Sequence, residues 1–251
     1  MKENGPYWSR DAVRLLWIGT SFLVISIGTR IGLAIFSEGS YVLQDWFRFM
    51  GIGLVFDLTI LPWFLLPWAV YGAVIPEFEP HGRFHKWETG WASVWATLFL
   101  TLFMVVAAAE FAFWGEFGSR FDFIAVDYLV YTHEVIGNIQ ESYPVGLWIL
   151  AILSLSTTVA WFSWPRKGVR ARSSWIVRWS RAALVGFALA LGMFAVDPNL
   201  ADTKLNAQVR QLSMNGMYAF GHAFRHNELD YNKYYPALEA ADLNSQIRTL
   251  I

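Results

Sequence analysis

The sequence predicts an all-α, polytopic membrane protein with five transmembrane helices. Hydrophobic residues make up 55% of the chain and charged residues only 16%, which is far from the composition of a soluble domain. A helix needs roughly 20 apolar residues to cross a hydrocarbon core of about 30 Å. Five segments meet that requirement, at residues 13–36, 50–75, 91–114, 145–164 and 182–196.

The first span is predicted to remain in the protein. Its apolar stretch is longer than the roughly 7–15 residues of a signal-peptide core, and no small-x-small cleavage pattern follows it. The last span is the shortest of the five.

The distribution of basic residues predicts the orientation of the spans. Positively charged segments beside a span stay on the cytoplasmic side. The N-terminus, the loop with Arg83 and Lys86, and the loop between spans four and five are therefore predicted to be cytoplasmic, and the C-terminal tail extracytoplasmic. The net charge of −1 gives no indication of nucleic-acid binding. The last cytoplasmic loop has six basic residues and no acidic residue: Arg166, Lys167, Arg170, Arg172, Arg178 and Arg181.

Two regions outside the spans are also predicted to be helical. In residues 115–144, apolar side chains from Val126 to Ile139 recur at helical spacing, which favours an amphipathic helix on the outer membrane surface. It could be a lid that only seals the bundle, or a functional surface. The tail from Leu200 to His226 is amphipathic with a break at Asn215-Gly216, and predicts two short helices that leave the membrane. We expect a five-span domain at 1–199 and an extracytoplasmic helical linker at 200–251.

Three charged residues fall in the predicted spans beyond their first turns: Arg30, Asp57 and Glu110. A charge in the membrane costs a few kcal/mol unless it is paired or hydrated. Arg30 and Asp57 are both predicted in the outer half of the bilayer, where they could pair across adjacent helices. Glu110 is expected to reach the membrane surface. Two interpretations stay open, a structural ion pair or a path for a lipid headgroup lined by these residues.

The sequence shows no motif for soluble catalysis and no expected metal site. The chain has no cysteine. His81/His85 and His222/His226 have the i, i+4 spacing that places two imidazoles on one helix face, but each pair lacks a third ligand. Most of the fourteen tryptophans, Trp68 and Trp164 among them, lie near span ends and are expected to form interfacial belts.

Two segments carry a resemblance to a known family. The first has the sequence EFGSRFDFIAVDYLVYTHEVIGNIQESYPV, and the second, from Arg225 to Leu238, has the sequence RHNELDYNKYYPAL. They resemble, respectively, the loop after the third span and the segment before the catalytic domain in the lipoteichoic acid synthase family, which comprises membrane-anchored phosphoglycerol transferases and sulfatase-like relatives. Asparagine is common in the family where this chain has Asp122. The residues that carry the first match are Arg120, Phe121, Phe123, Asp127, Tyr128, Tyr131, Glu134, Asn138, Ser142, Tyr143 and Pro144.

The resemblance implies a polytopic anchor for an extracytoplasmic, alkaline-phosphatase-like domain. In the family that domain uses a threonine nucleophile and a divalent metal, usually manganese, to transfer glycerol phosphate from phosphatidylglycerol. Thirteen residues follow Leu238, too few for such a domain, so no catalytic residue and no cofactor is assigned within this chain, and manganese is expected in the absent domain. The candidate lipid-binding or substrate-path residues are Arg30, Asp57, Glu110, Arg120, Asp127, Tyr131 and Glu134.

Two functions from different classes are therefore expected. The first is the membrane anchor and lipid-presenting domain of a phosphoglycerol-transferase-type enzyme in the bacterial cytoplasmic membrane. Its partners would be phosphatidylglycerol and the enzyme's own catalytic domain. The second is a stand-alone, non-enzymatic membrane scaffold or assembly protein, and the reading frame beyond Ile251 would distinguish the two. A transporter is less favoured because the chain has no sign of inverted repeats.

Overall fold

The computed structural model describes residues 9–75, 83–130, 132–165, 173–202 and 206–226. No β-strand occurs in these residues. Helices α1, α2, α3, α6 and α7 are long and apolar enough to cross a membrane, so the protein is an all-α polytopic membrane protein. The helices are α1 Arg10–Phe36, α2 Leu43–Val74, α3 Arg83–Phe117, α4 Phe123–Val130, α5 Thr132–Ser142, α6 Val145–Ser163, α7 Trp175–Ala195, α8 Ala207–Ser213 and α9 Gly216–Arg225, with a 3₁₀ helix at Pro198–Ala201 between α7 and α8.

The five predicted spans are confirmed, although α2, α3 and α7 begin seven or eight residues before their predicted bounds. The cause is clearest at α7. This helix begins about two turns earlier than predicted, because the hydroxyl of Ser174 accepts a hydrogen bond from the Val177 N–H and caps the helix. Arg178 and Arg181 were predicted in the preceding loop but lie within the helix. Arg178 Nη1 donates to the carbonyl oxygen of Ile75 at 3.0 Å, where the end of α2 leaves carbonyls without helical partners.

The five spans form a row in the order α7, α2, α1, α3, α6. The neighbours α1 and α3 run in the same direction, since Arg14 contacts Glu88 near the start of both helices. We call the end at which α1 begins the near end and the opposite end the far end. Burial agrees with the central position of α1. In its most apolar stretch of 18 residues 44% of the residues are buried, compared with 11% in the corresponding stretches of α6 and α7. The edge helices expose large apolar side chains, such as Phe162 and Phe194, which lipid tails can cover.

Small residues bring the helices of this row close together. Ala92 and Ala96 of α3 are fully buried in the main apolar cluster, which also contains Phe22 of α1. At the contact between α2 and α7, a Cβ added to Gly192 would lie 3.0 Å from the Thr59 methyl group. Close packing at small residues is the usual way in which membrane helices associate.

The far end is covered by the segments between and after the spans. Gly118 directly follows the last residue of α3. Its φ of +64° suits glycine, and its N–H donates to the carbonyl oxygen of Trp114 at 2.8 Å. The region predicted as one amphipathic helix forms α4 and α5. The two short helices predicted in the tail are present as α8 and α9, but they do not leave the bundle. They pack against α1, α2 and α4.

Candidate functional site at the far end of the bundle

The predicted pair between Arg30 and Asp57 is confirmed. Arg30 Nη1 lies 2.8 Å from Asp57 Oδ2, and Nη2 lies 2.9 Å from Oδ1, a bidentate arrangement. Both side chains are fully buried. Gly53 makes room for the guanidinium group, because a Cβ at this position would lie 2.3 Å from Arg30 Cζ. Ser26 Oγ also donates to Asp57 Oδ1 at 2.7 Å.

The turn between α8 and α9 completes the hydrogen bonds of this pair. Arg30 Nε donates to the carbonyl oxygen of Leu212 at 3.0 Å, and Asn215 Nδ2 donates to Asp57 Oδ1 at 2.8 Å. The other side-chain atom of Asn215, Oδ1, accepts from the backbone N–H of Met217 at 2.9 Å and so caps α9. Protein groups therefore surround the pair, which favours the structural interpretation.

A second buried ion pair holds the same turn from the other side. Arg120 Nη2 lies 2.8 Å from Glu110 Oε2, and the two side chains are 1% and 5% exposed. The expectation that Glu110 reaches the surface is wrong, because the chain after α3 folds back and covers it with Arg120. Arg120 Nη1 also donates to the carbonyl oxygen of Met214. A Cβ added to Gly216 would lie 2.3 Å from Glu110 Oε1.

We call residues 212–216 the docked turn. Two arginines and two carboxylates enclose it, with no net formal charge, and each pair is stabilised by hydrogen bonds to the turn itself. Removing one partner of a buried pair typically costs about 3–5 kcal/mol. A cavity of about 20 Å³ lies between Ser26, Glu110 and Asn215, which is enough for one water molecule. The turn is therefore held firmly in the polar centre of the far end.

The remaining predicted candidates do not join this cluster. Asp127 is exposed on α4. Glu134 lies in α5 by its backbone, and its side chain is outside the described part of the structure, as is Tyr131 as a whole. The structure thus brings together Arg30, Asp57, Glu110 and Arg120 from the predicted set, around a turn that the sequence did not connect with them.

A cavity of about 370 Å³ with a mixed polar and apolar lining opens beside the docked turn. It is built from the start of α4, the 3₁₀ helix, α8 and α9, and we call it the far-end cavity. Within the described residues, no group of three histidine or acidic side chains is arranged to hold a metal ion. The lining includes Asp122, Asn199, Asp202, Arg210, Gln211, Met214, His222 and His226.

The charged groups of the far-end cavity are held with different strengths. Asp122 is fixed, since its carboxylate accepts from the Ile124 N–H at 2.9 Å and from a nearby serine hydroxyl. Arg210 Nη1 and Asp202 Oδ1 are 3.7 Å apart, with both side chains about half exposed. The rings of His222 and His226 stack with their centroids 4.2 Å apart. Burial, and then the neighbouring His226, lowers the pKa of His222 below its usual value.

Sequence analysis missed a buried charge cluster at the near end. Arg14 is fully buried and hydrogen-bonds Glu88, which Arg10 also contacts at 3.3 Å. The Arg14 guanidinium lies over the rings of Trp68 and Trp164, 5.6 and 5.5 Å from their centroids. These two tryptophans are 4% and 3% exposed, so their assignment to an interfacial belt is wrong.

A signal for this cluster was present in the sequence. Arg10 and Arg14 are spaced i, i+4, which places both on one face of the first helix. Glu88 is an acidic residue just before the third predicted span, in a loop that is predicted to be cytoplasmic. The positive-inside rule explains the arginines without a partner, and for that reason the pairing was not predicted.

The comparisons with known proteins do not identify a family. The chain matches no protein-family model, no curated protein and no solved structure. The resemblance to the lipoteichoic acid synthase family therefore depends on the two sequence segments given above.

Proposed function

We propose that this chain is the membrane anchor and lipid-presenting domain of a phosphoglycerol-transferase-type enzyme that acts on phosphatidylglycerol. The enzyme lies in the bacterial cytoplasmic membrane, with the near end cytoplasmic and the far end extracytoplasmic. An alkaline-phosphatase-like domain with a threonine nucleophile and a manganese ion belongs to the same enzyme and is not contained in these residues.

The observation that carries the proposal is the docked turn. It ties the tail to the bundle just before the second family-like segment, which begins at Arg225. Two buried ion pairs hold the turn from α1, α2 and α3. The start of α9 is therefore fixed in position at the far end. That is what an anchor needs in order to hold a catalytic domain at a defined height above a lipid headgroup.

Contacts between the first family-like segment and the tail that precedes the second one also support the proposal. Arg120, from the first segment, donates to the carbonyl oxygen of Met214 in the docked turn. The rings of Phe121 and Phe220 lie 6.4 Å apart in an edge-to-face arrangement. Two residues of the first family-like segment thus contact the docked turn and α9, and α9 leads into the second segment.

The proposed orientation is supported by the charges at the near end. Arg10 and Arg14 lie at the start of α1 and Arg178 and Arg181 in the first two turns of α7, both at the near end, and four more basic residues stand between α6 and α7 in sequence. Cytoplasmic placement of such segments is the rule in multi-pass proteins. A reporter fused after residue 226 that is active only outside the cytoplasm should therefore be active, and an inactive reporter there would reverse the topology.

The first test is the native reading frame beyond Ile251. An open frame long enough for a further domain, about 150 residues or more, with a threonine and metal-ligand pattern would support the enzyme anchor. A stop codon at that position would favour the alternative, a stand-alone scaffold or assembly protein.

A functional test uses the full-length enzyme in liposomes that contain phosphatidylglycerol. Arg120→Gln removes the cation that contacts both Glu110 and the docked turn, and should lower glycerol phosphate transfer. Arg48→Gln, in α2 and outside the cluster, is the matched control for the loss of one far-end charge. Equal turnover in both variants and the wild-type protein would mean that the docked turn does not position the catalytic domain.

A further inference from the structure

The far-end cavity contains a cation whose present partner is weak. Arg210 contacts Asp202 at 3.7 Å, with both side chains about half exposed. A charge-assisted hydrogen bond between an arginine and an oxyanion is usually about 2.7–2.9 Å long and often bidentate. The contact with Asp202 can therefore be exchanged for a phosphate group, which offers several oxygens to the planar guanidinium fork.

Two further donors lie on the same wall of the cavity. His222 and His226 are one turn apart on α9, both line the cavity, and their rings are stacked. The charged groups around this pair are Arg225 on α9, Asp197 before the 3₁₀ helix, Asp122 before α4, Asp202 after the 3₁₀ helix and Arg210 on α8. Since Asp122 already accepts two hydrogen bonds, its charge is partly compensated.

The volume and the surroundings of the cavity suit a small polar group attached to an apolar chain. Its volume of about 370 Å³ lies within the range of roughly 300–1,000 Å³ that is typical of small-molecule sites. Phe123, which lines it, is 58% exposed, and Leu200 and Phe224 of the neighbouring helices are 48% and 62% exposed. Exposed apolar side chains beside a cavity that also has charged lining residues fit a position at the membrane interface.

We propose that the far-end cavity binds a phosphate ester, with Arg210 as the main contact and with His222 and His226 as further donors. Asn199 and Gln211, which also line the cavity, are placed to bond hydroxyl groups of the same ligand. The phosphate belongs to the headgroup of an anionic phospholipid, and that choice of source rests on the proposed function. The affinity of the cavity for a phosphate ester does not.

The test measures binding by the purified full chain to two probes. One is phosphatidylglycerol added to detergent micelles, with phosphatidylcholine as the uncharged comparison, and bound lipid is counted by native mass spectrometry. The other is soluble glycerol 1-phosphate, followed by broadening of its ³¹P signal. Arg210→Gln is the test variant, and Arg48→Gln removes a far-end charge outside the cavity. Thermal unfolding of each variant checks that the bundle is intact.

We expect phosphatidylglycerol to bind in preference to phosphatidylcholine, and Arg210→Gln to weaken that binding about tenfold, the usual effect of losing hydrogen bonds to a charged group, while Arg48→Gln has no effect. Replacement of His222 by glutamine should weaken binding more at low pH than at high pH, because only the protonated imidazole adds a positive charge to the cavity. If the binding of glycerol phosphate depends on Arg210 and the binding of the lipid does not, the phosphate site is supported and lipid presentation is refuted. If neither probe depends on Arg210, the proposed site is refuted.

Discussion

Replacing Gly216 with alanine should release the docked turn. The new Cβ would lie 2.3 Å from Glu110 Oε1 and 2.5 Å from its Cδ, whereas ordinary contacts of a Cβ are 3.4–4 Å. Glu110 therefore has to withdraw by about 1 Å, and overpacking of this kind costs about 1–3 kcal/mol. If the ion pair with Arg120 breaks, the cost rises to about 3–5 kcal/mol. At about 2 kcal/mol, the population of the undocked turn increases roughly 30-fold.

The assay uses the absence of cysteine from the chain. Ser213→Cys places a single thiol at a fully buried position within the docked turn, where a water-soluble maleimide can react only after undocking. Gly221→Ala is the matched control on α9, because a Cβ at that position meets no atom within 4 Å and alanine favours a helix by about 0.5–1 kcal/mol. Labelling should accelerate with Gly216→Ala and not with Gly221→Ala. Equal rates for the two variants would refute the role assigned to Gly216.

Three further predictions concern single side chains. Asp57→Asn should lower the free energy of unfolding by about 3–5 kcal/mol, because Arg30 is left with an uncompensated charge; thermal unfolding in detergent measures it, and an unchanged midpoint would contradict it. Arg14→Lys keeps the charge but loses the planar contact with two indole rings. The near-ultraviolet circular dichroism spectrum should therefore change, and the free energy of unfolding should fall by about 1–2 kcal/mol. An unchanged spectrum would mean that the stacking is unimportant. The pKa of His222 is lowered in the folded protein from its ordinary value of 6.5, so the unfolded chain binds more protons and stability should fall as the pH drops below about 6.5. His222→Gln should flatten this part of the melting profile, and an identical slope in the variant would exclude His222 as the source.

The spans could be predicted from sequence because length and apolar composition determine them almost alone. The pair of Arg30 and Asp57 was also predictable, since a charge inside a span needs a partner and the two lie at similar depth. The position of Glu110 was not, because its partner Arg120 comes from outside the spans. Asn215 is 158 residues away from Asp57 in sequence, and its pattern in the tail is that of an ordinary helix break. Long-range polar contacts leave no periodic signal along one chain.

The near-end arginines illustrate a different limit. Arg14 fits the positive-inside rule, which accounts for its position without any partner in the protein. In the folded protein it is buried against Glu88 and two tryptophans. Orientation during insertion and packing after insertion can depend on the same side chain, and a count of charges detects only the first.

The arrangement around Arg30 has a consequence for biogenesis. Arg30 is synthesised 27 residues before Asp57 and 182 residues before Leu212, whose carbonyl completes its hydrogen bonds. Placing an arginine at the centre of a membrane helix costs about 2.5–3.5 kcal/mol on insertion scales, so α1 gains from entering the lipid as a hairpin together with α2. Even then, Arg30 and Asp57 lack their hydrogen bonds to Leu212 and Asn215 until the ribosome has made residue 215. Chains interrupted earlier should expose these polar groups to the membrane quality-control proteases. The environment of Arg30 is therefore complete only when the docked turn has been synthesised.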